Sequence, residues 1–84
     1  MNSKDYQINI FYSAEDDGYI ATIPELENCF AFGLSPVIAL HEVLMAKELW
    51  IKAAKAEGRY IPEPINWQIL YRLAIMNEKK IYNN

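Results

Sequence analysis

The first part of the chain alternates between apolar and polar positions. In residues 6–12, the side chains of Tyr6, Ile8, Ile10 and Tyr12 fall on one face of an extended chain. Alternation with a period of two in aromatic and β-branched residues is typical of a half-buried strand. The sequence therefore predicts a first β-strand over residues 6–12.

A second and a third strand follow. Residues 13–18 are rich in turn formers and end in Asp17-Gly18, a pair favoured where φ becomes positive. Residues 19–23 then return as the second strand of an antiparallel hairpin. Pro24 ends that strand because it has no N–H to donate. Residues 29–32 predict a short third strand, closed by Gly33.

A long helix is predicted next. Ser35 is a good N-cap, Pro36 suits the first helical position, and Gly58 suits the C-terminal stop after about Glu57. Apolar residues recur within it at spacings of three and four, which indicates one apolar stripe. The predicted stripe consists of Ala39, Leu40, Val43, Ala46, Trp50, Ala53 and Ala54.

The C-terminal region fits two structures. Residues 59–64 are predicted to be an extended connection, because they contain Pro62 and Pro64. In residues 66–76 the apolar positions alternate as in a strand, yet some of them also satisfy helical spacing. Between these alternatives a strand is preferred. The predicted fold class is α+β, with a three-stranded antiparallel sheet, one long helix packed on it and a fourth strand near the C-terminus.

Length and charge narrow the function classes. With 84 residues and about half of them apolar, residues 1–84 are expected to form a single domain. The net charge is −3 and the basic residues are scattered, which disfavours direct nucleic-acid binding. One cysteine excludes an internal disulfide, and no apolar run approaches membrane-spanning length. We therefore expect a cytoplasmic protein.

The acidic, histidine and cysteine residues that could take part in catalysis or metal binding are better interpreted as structural. Glu15, Asp16 and Asp17 could in principle hold a cation, but neighbouring turn residues do not converge on one point without dedicated loop geometry. His41 has no evident catalytic partner. Cys29 has no sequence neighbour that would lower its pKa, so a small buried hydrophobe is the better interpretation. The sequence predicts a protein that is not an enzyme and binds no metal or cofactor.

The aromatic residues of the predicted strands raise one further alternative. Tyr6, Tyr12, Tyr19, Phe30 and Phe32 could stack nucleic-acid bases on a sheet. The basic side chains that accompany such a platform are missing from these strands. Core packing and protein interfaces are therefore the favoured use of these aromatic side chains.

An ordered set of residues in positions 6–64 resembles the HicB-like antitoxin family of bacterial type II toxin–antitoxin systems. After the first strand and its acidic turn come Tyr19-Ile20-Ala21 and Ile23-Pro24-Glu25-Leu26. The other residues of the set are Gly18, Cys29, Ala31, Gly33, Ala39, Leu40, Trp50, Gly58 and Ile61-Pro62-Glu63-Pro64. Ser35 and Pro36, which start the helix, also belong to the set and lie between Gly33 and Ala39. No single piece is specific, whereas the ordered set at this spacing is.

The resemblance implies a β-β-β-α arrangement, described as a partial ribonuclease-H-like fold without ribonuclease activity. It also implies a partner, a small basic toxin of the HicA type that cleaves mRNA, whose active site the antitoxin covers. Many relatives carry a C-terminal DNA-binding domain, for which this chain is expected to be too short. Asn28 stands where relatives have glycine, a position that calls for a residue tolerant of positive φ.

Two apolar residues depart from the family pattern. Leu34 and Ile38 lie around the helix start, where relatives usually have polar or acidic residues, and they are four positions apart. We expect them to form part of a protein-contact surface. The alternative is that they are isolated apolar surface residues, which proteins tolerate.

The sequence thus leaves three functions to compare. The preferred one is an antitoxin-like binding protein. The second is a stand-alone homo-oligomeric binding module of the same fold with no toxin. A degenerate nuclease is the weakest, since no carboxylate set falls at interior strand positions. Self-association into a homodimer or larger oligomer is expected because an open strand edge in the tail would favour pairing.

Overall fold

The fold is a three-stranded sheet with two helices. The computed structural model describes residues 5–82, and side chains for residues 5–77. Its elements are β1 (Asn9–Ser13), β2 (Gly18–Thr22), β3 (Phe30–Gly33), α1 (Pro36–Glu57) and α2 (Trp67–Tyr82). The sheet order is β1-β2-β3 and both pairings are antiparallel. The predicted α+β class and the β-β-β-α order are confirmed.

The hairpin between β1 and β2 turns at Asp17. Its φ of 51° places Asp17 in the left-handed region, so the positive φ falls on the aspartate of the Asp17-Gly18 pair. Tyr12 and Tyr19 lie opposite each other across the hairpin. Their rings meet edge to face with centroids 5.5 Å apart. This geometry is the favoured one for aromatic pairs and helps to fix the register.

The connection between β2 and β3 is a compact loop built on the core. The N–H of Ile23 donates to the carbonyl of Cys29, and the N–H of Cys29 donates to that of Leu26. Leu26 is fully buried beneath these bonds. Asn28 has a φ of 63°, which confirms the predicted need for a residue tolerant of positive φ.

Helix α1 begins and ends where the sequence predicts. The hydroxyl oxygen of Ser35 accepts a hydrogen bond from the N–H of Ile38, and Pro36 follows in the first turn. Gly58 ends the helix with a φ of 69°, and its N–H and that of Arg59 bond the last carbonyls. Such a left-handed cap favours glycine, because a side chain there meets steric strain.

The core lies between α1 and one face of the sheet. Its buried members are Ala21, Ile23, Leu26, Cys29, Ala39 and Val43, with Tyr6, Ile8, Tyr19, Ala31, Ala46 and Trp50 packed around them. Small residues allow a close approach: a Cβ at Gly33 would lie 2.7 Å from the carbonyl carbon of Ile38.

Two members of the predicted stripe on α1 lie outside the core. Leu40 and Ala53 are exposed, whereas Ala39, Val43 and Ala54 are buried. Leu40 follows Ala39 directly, and consecutive helical residues point roughly 100° apart. A three-stranded sheet is too narrow to cover that flank of the helix.

The connection from α1 to α2 is attached to the sheet. The Tyr6 hydroxyl donates to the carbonyl of Pro62 over 2.6 Å. The carboxylate of Glu25 accepts from the backbone N–H of Gln7 at 2.9 Å and from that of Ile65 at 2.8 Å. One side chain therefore joins the N-terminal segment, the loop after β2 and the segment before α2.

The preferred strand near the C-terminus was wrong. Residues 67–82 form helix α2, and the side-chain oxygen of Asn66 caps it by accepting from the N–H of Ile69. Ile69, Leu73 and Met76 follow helical spacing, which prevails over the alternation that suggested a strand. Nothing that the structure describes of α2 packs on the sheet or on α1. The radius of gyration is accordingly 16.5 Å, against about 12 Å for a compact chain of this length.

Candidate protein-contact surfaces

The start of α1 carries an exposed apolar cluster. Leu34, Val37 and Ile38 are 73, 74 and 47% exposed, and we call these three residues the junction surface. A residue such as Leu34, just before an N-cap, often packs against the fifth residue after it, here Ala39. Ala39 is instead buried against Gly33, which leaves Leu34 available for other contacts.

The sheet face that α1 does not cover carries a second apolar cluster. Phe11, Ile20 and Phe32 lie side by side across the three strands, and Phe30 lies next to them opposite Thr22. The three phenylalanines are between 42 and 59% exposed. We call Phe11, Ile20, Phe30 and Phe32 the outer-face patch.

Gly18 supports this patch. A Cβ at Gly18 would collide with the ring of Phe32. The absence of a side chain at Gly18 therefore leaves room for the Phe32 ring at the start of β2. This close approach explains glycine at a position whose φ is not positive.

Helix α2 carries the third apolar cluster. Ile69, Leu70, Leu73 and Met76 are between 46 and 63% exposed, and we call them the α2 stripe. Positions 69, 73 and 76 stack on one face of the helix, with position 70 beside them. The stripe faces solvent along its described length.

The acidic turn is occupied with its own hairpin. The Asp17 carboxylate accepts a hydrogen bond from the Tyr12 hydroxyl at 2.9 Å, and that of Asp16 accepts from the Ser13 hydroxyl at 2.8 Å. The bond to Asp17 raises the pKa of Tyr12, since it stabilises the protonated phenol. Across the residues described, no three His, Cys, Asp or Glu side chains are grouped to hold a metal.

Cys29 and His41 occupy different environments, one in the core and the other on the surface of α1. Cys29 is buried in the core, and that burial raises the pKa of its thiol, although Lys47 acts in the opposite direction. A raised pKa makes a thiol less nucleophilic at neutral pH. His41 is exposed on α1. The structural interpretation of Cys29 as a small buried hydrophobe agrees with its position.

Trp50 closes one end of the core beside a shallow groove. Its indole N–H donates to the carbonyl of Glu27 at 2.8 Å, and the Arg59 guanidinium lies 5.3 Å from its ring centre. The groove, of about 410 Å³, also includes Glu25, Tyr60 and Pro62. Its polar groups are engaged in the fold: Arg59, for example, pairs with Glu57 at 2.7 Å. Trp50 therefore serves as a structural residue.

One relative identifies the family. The UPF0150 protein ssl0259 of Synechocystis sp. is 30% identical to this chain over 53 residues, which cover 63% of this chain and 73% of the relative. This chain belongs to the UPF0150 family. No protein-family model matches it, and no solved structure does. In residues 5–82 of this UPF0150 chain, no helix is long and apolar enough to cross a bilayer.

The structure brings the sequence-predicted contact residues together and adds others. Leu34 and Ile38 share the junction surface, as the spacing of four predicts, and Val37 joins them. Phe30 and Phe32 of the outer-face patch were among the aromatic residues expected in the core or in protein interfaces, whereas Phe11 and Ile20 were not predicted, because β1 was assigned by its inward face. Phe11 has the same parity as Gln7 and Asn9, and this apolar residue on a polar face was the available signal.

Proposed function

We propose that this UPF0150 chain is an antitoxin-like binding protein of the HicB type. Its partner would be a small, basic, mRNA-cleaving toxin of the HicA type, which it neutralises by covering the active site. The ordered residue set from Gly18 to Pro64 supports this proposal, since it carries the resemblance to HicB-like antitoxins. Because mRNA is the toxin's target, the proposal entails a cytoplasmic location.

The junction surface is the observation that carries the proposal. Three large apolar side chains stand exposed at one place on the start of α1, two of them nearly three-quarters exposed. Clustered exposed apolar residues usually mark a protein interface. Their position beside the capped helix start makes them a rigid surface, since Ser35 and the close contact at Gly33 hold the backbone.

Charge supports a basic partner. Residues 5–65 contain ten acidic and four basic side chains. A protein of this charge attracts a basic toxin from a distance, and complementary charge raises association rates more than it raises final affinity. The acidic side chains would thus steer the toxin, while the junction surface would hold it.

Neutralisation by occlusion needs only binding groups in the antitoxin. The toxin loses activity when its active site can no longer reach RNA, so the antitoxin supplies area and shape. This division fits a chain whose acidic turn and cysteine are engaged in its own fold.

The proposal is tested with the product of a neighbouring small basic reading frame. We expect co-expression to rescue cells from growth arrest by that product and the two proteins to purify together. Replacing Leu34 and Val37 together by alanine removes the most exposed apolar area and should weaken binding at least about tenfold. Titration calorimetry measures the change.

Leu49→Ala is the matched control. Leu49 is also exposed on α1 but lies far from the junction surface, and its replacement should leave toxin affinity unchanged. Equal weakening by both changes would remove the junction surface from the interface. Failure of the wild-type chain to bind or rescue would refute the antitoxin function itself.

A second candidate is a stand-alone homo-oligomeric binding module of the same fold with no toxin. The exposed α2 stripe favours it, because an apolar helix face needs a partner surface. Self-association without any effect on a neighbouring toxin would support this alternative.

A further inference from the structure

Helix α2 has an apolar face that no other described element of its own chain covers. It has 16 residues, and isolated helices of this length are marginally stable in water. Most helical stability in proteins comes from packing an apolar face. The α2 stripe is such a face, and all four of its side chains are about half exposed.

The outer-face patch is the complementary surface. The sheet buries one face beneath α1, and no second described helix or strand covers the other face, although domains normally bury each apolar face of a sheet against another layer. A helix laid across the patch would complete a helix–sheet–helix arrangement. Three strands at ~4.8 Å spacing place the outer strands about 10 Å apart, and the α2 stripe extends about 10 Å along its helix from position 69 to position 76.

We propose that two copies of this chain associate by reciprocal docking, in which the α2 stripe of each copy covers the outer-face patch of the other. A second copy is thereby the occupant of the patch. The interface is isologous, as in most homodimers, and each copy contributes one helix and one sheet face.

The connection to α2 favours exchange over folding back. Glu25 fixes the N–H of Ile65, and Tyr6 fixes the carbonyl of Pro62. Asn66 then caps α2, so it is the only residue between the fixed segment and the helix. Because its start is held in this way, α2 extends away from its own sheet. Its apolar stripe is therefore accessible to another molecule.

Charge and area agree with this arrangement. Residues 66–84 carry three basic and one acidic side chain, whereas residues 5–65 carry four basic and ten acidic ones. The basic C-terminal region is thus complementary to the acidic body of a second copy. Seven half-exposed side chains per copy at about 100 Å² each, together with the less exposed Ile20, approach the roughly 800 Å² per partner of a stable interface.

The test uses analytical ultracentrifugation of the full chain across a wide concentration range. We expect a monomer–dimer equilibrium whose dissociation constant rises at least about tenfold for Leu73→Glu. Tyr71→Glu is the matched control, because the same charge enters the same helix at an exposed position on the face opposite Leu73. It should leave the dissociation constant unchanged.

Phe11→Thr tests the receiving surface and keeps a residue suited to a strand. It should also weaken the dimer at least about tenfold. A mixture of Leu73→Glu and Phe11→Thr chains should then associate more tightly than either variant alone. In the mixed dimer, the intact α2 of one chain meets the intact patch of the other.

Other results would overturn the proposal. A wild-type chain that stays monomeric at high concentration, with protected α2 amides in hydrogen exchange, indicates that α2 docks on its own body. An effect of Leu73→Glu without an effect of Phe11→Thr indicates pairing of α2 with α2. These outcomes are independent of the toxin experiment, whose variants lie in the junction surface.

Discussion

The two helices of this chain differ in what stabilises them. Helix α1 has a serine cap, a glycine stop and a stripe of small apolar residues packed on the sheet. Helix α2 has a cap and a stripe of large apolar residues, yet it packs on nothing described within its own chain. Helix α1 is therefore part of the folded core, whereas α2 extends from that core with its apolar stripe exposed.

The largest loss of stability is expected from a substitution where α1 approaches the sheet most closely. A Cβ in Gly33→Ala would collide with the backbone at Ile38 and Ala39, and backbone has little freedom to yield. We expect a loss of about 2–4 kcal/mol in the free energy of unfolding, measured by urea denaturation.

Gly58→Ala provides the control for that change. Gly58 has a φ of 69° but open space around its Cβ position, so only the left-handed conformation opposes the substitution. The expected loss is about 1–2 kcal/mol. A larger effect at Gly58 than at Gly33 would contradict the importance of the close approach.

A matched pair of truncations compares the two helices directly. Val43 of α1 is fully buried, and Val43→Ala should cost about 1–3 kcal/mol in unfolding free energy by leaving a cavity. Leu73→Ala removes a larger side chain from α2, yet it should change the unfolding free energy of the monomer by less than about 0.5 kcal/mol.

Chemical denaturation at low protein concentration measures both effects. If Leu73→Ala destabilised the monomer as much as Val43→Ala, α2 would be part of the same folded core. The comparison between the helices would then fail.

The predictability of each helix from sequence follows from the same difference. Ser35, Pro36 and Gly58 act locally, so the bounds of α1 could be predicted without knowing its neighbours. In α2, the alternation of Trp67, Ile69 and Tyr71 competes with the helical spacing of Leu73 and Met76. A packed neighbour normally decides between these patterns, and none contacts α2 in the part of the chain that the structure describes.

The contact surfaces were predictable to different degrees. The exposure of Leu34 and Ile38 beside the helix start could be predicted because spacing there depends on local geometry, and their role in protein contact stays a prediction. The outer-face patch could not, because it depends on the register that brings Phe11, Ile20 and Phe32 into one row. The role of Glu25 was likewise hidden, since its two partners lie 18 and 40 residues away.

A modest effect is expected at the hydrogen bond between Tyr6 and Pro62, which ties the segment before α2 to the N-terminal segment. Burial and the nearby carboxylates of Glu63 and Glu25 raise the pKa of Tyr6 above its ordinary value of 10.0. Near that pH the folded chain keeps a proton that the unfolded chain loses. The stability contributed by Tyr6 is therefore complete at lower pH and declines as the pH rises through its folded pKa.

Urea unfolding of the wild-type chain between roughly pH 8 and pH 11 should show this decline. Tyr6→Phe removes the hydrogen bond to Pro62, so it should cost about 1 kcal/mol at pH 8 and flatten the alkaline dependence. Tyr71→Phe, on the exposed surface of α2, should leave both unchanged. An undiminished alkaline slope in Tyr6→Phe would assign the decline to other tyrosines, such as Tyr12, and would remove Tyr6 as the titrating joint between the sheet and α2.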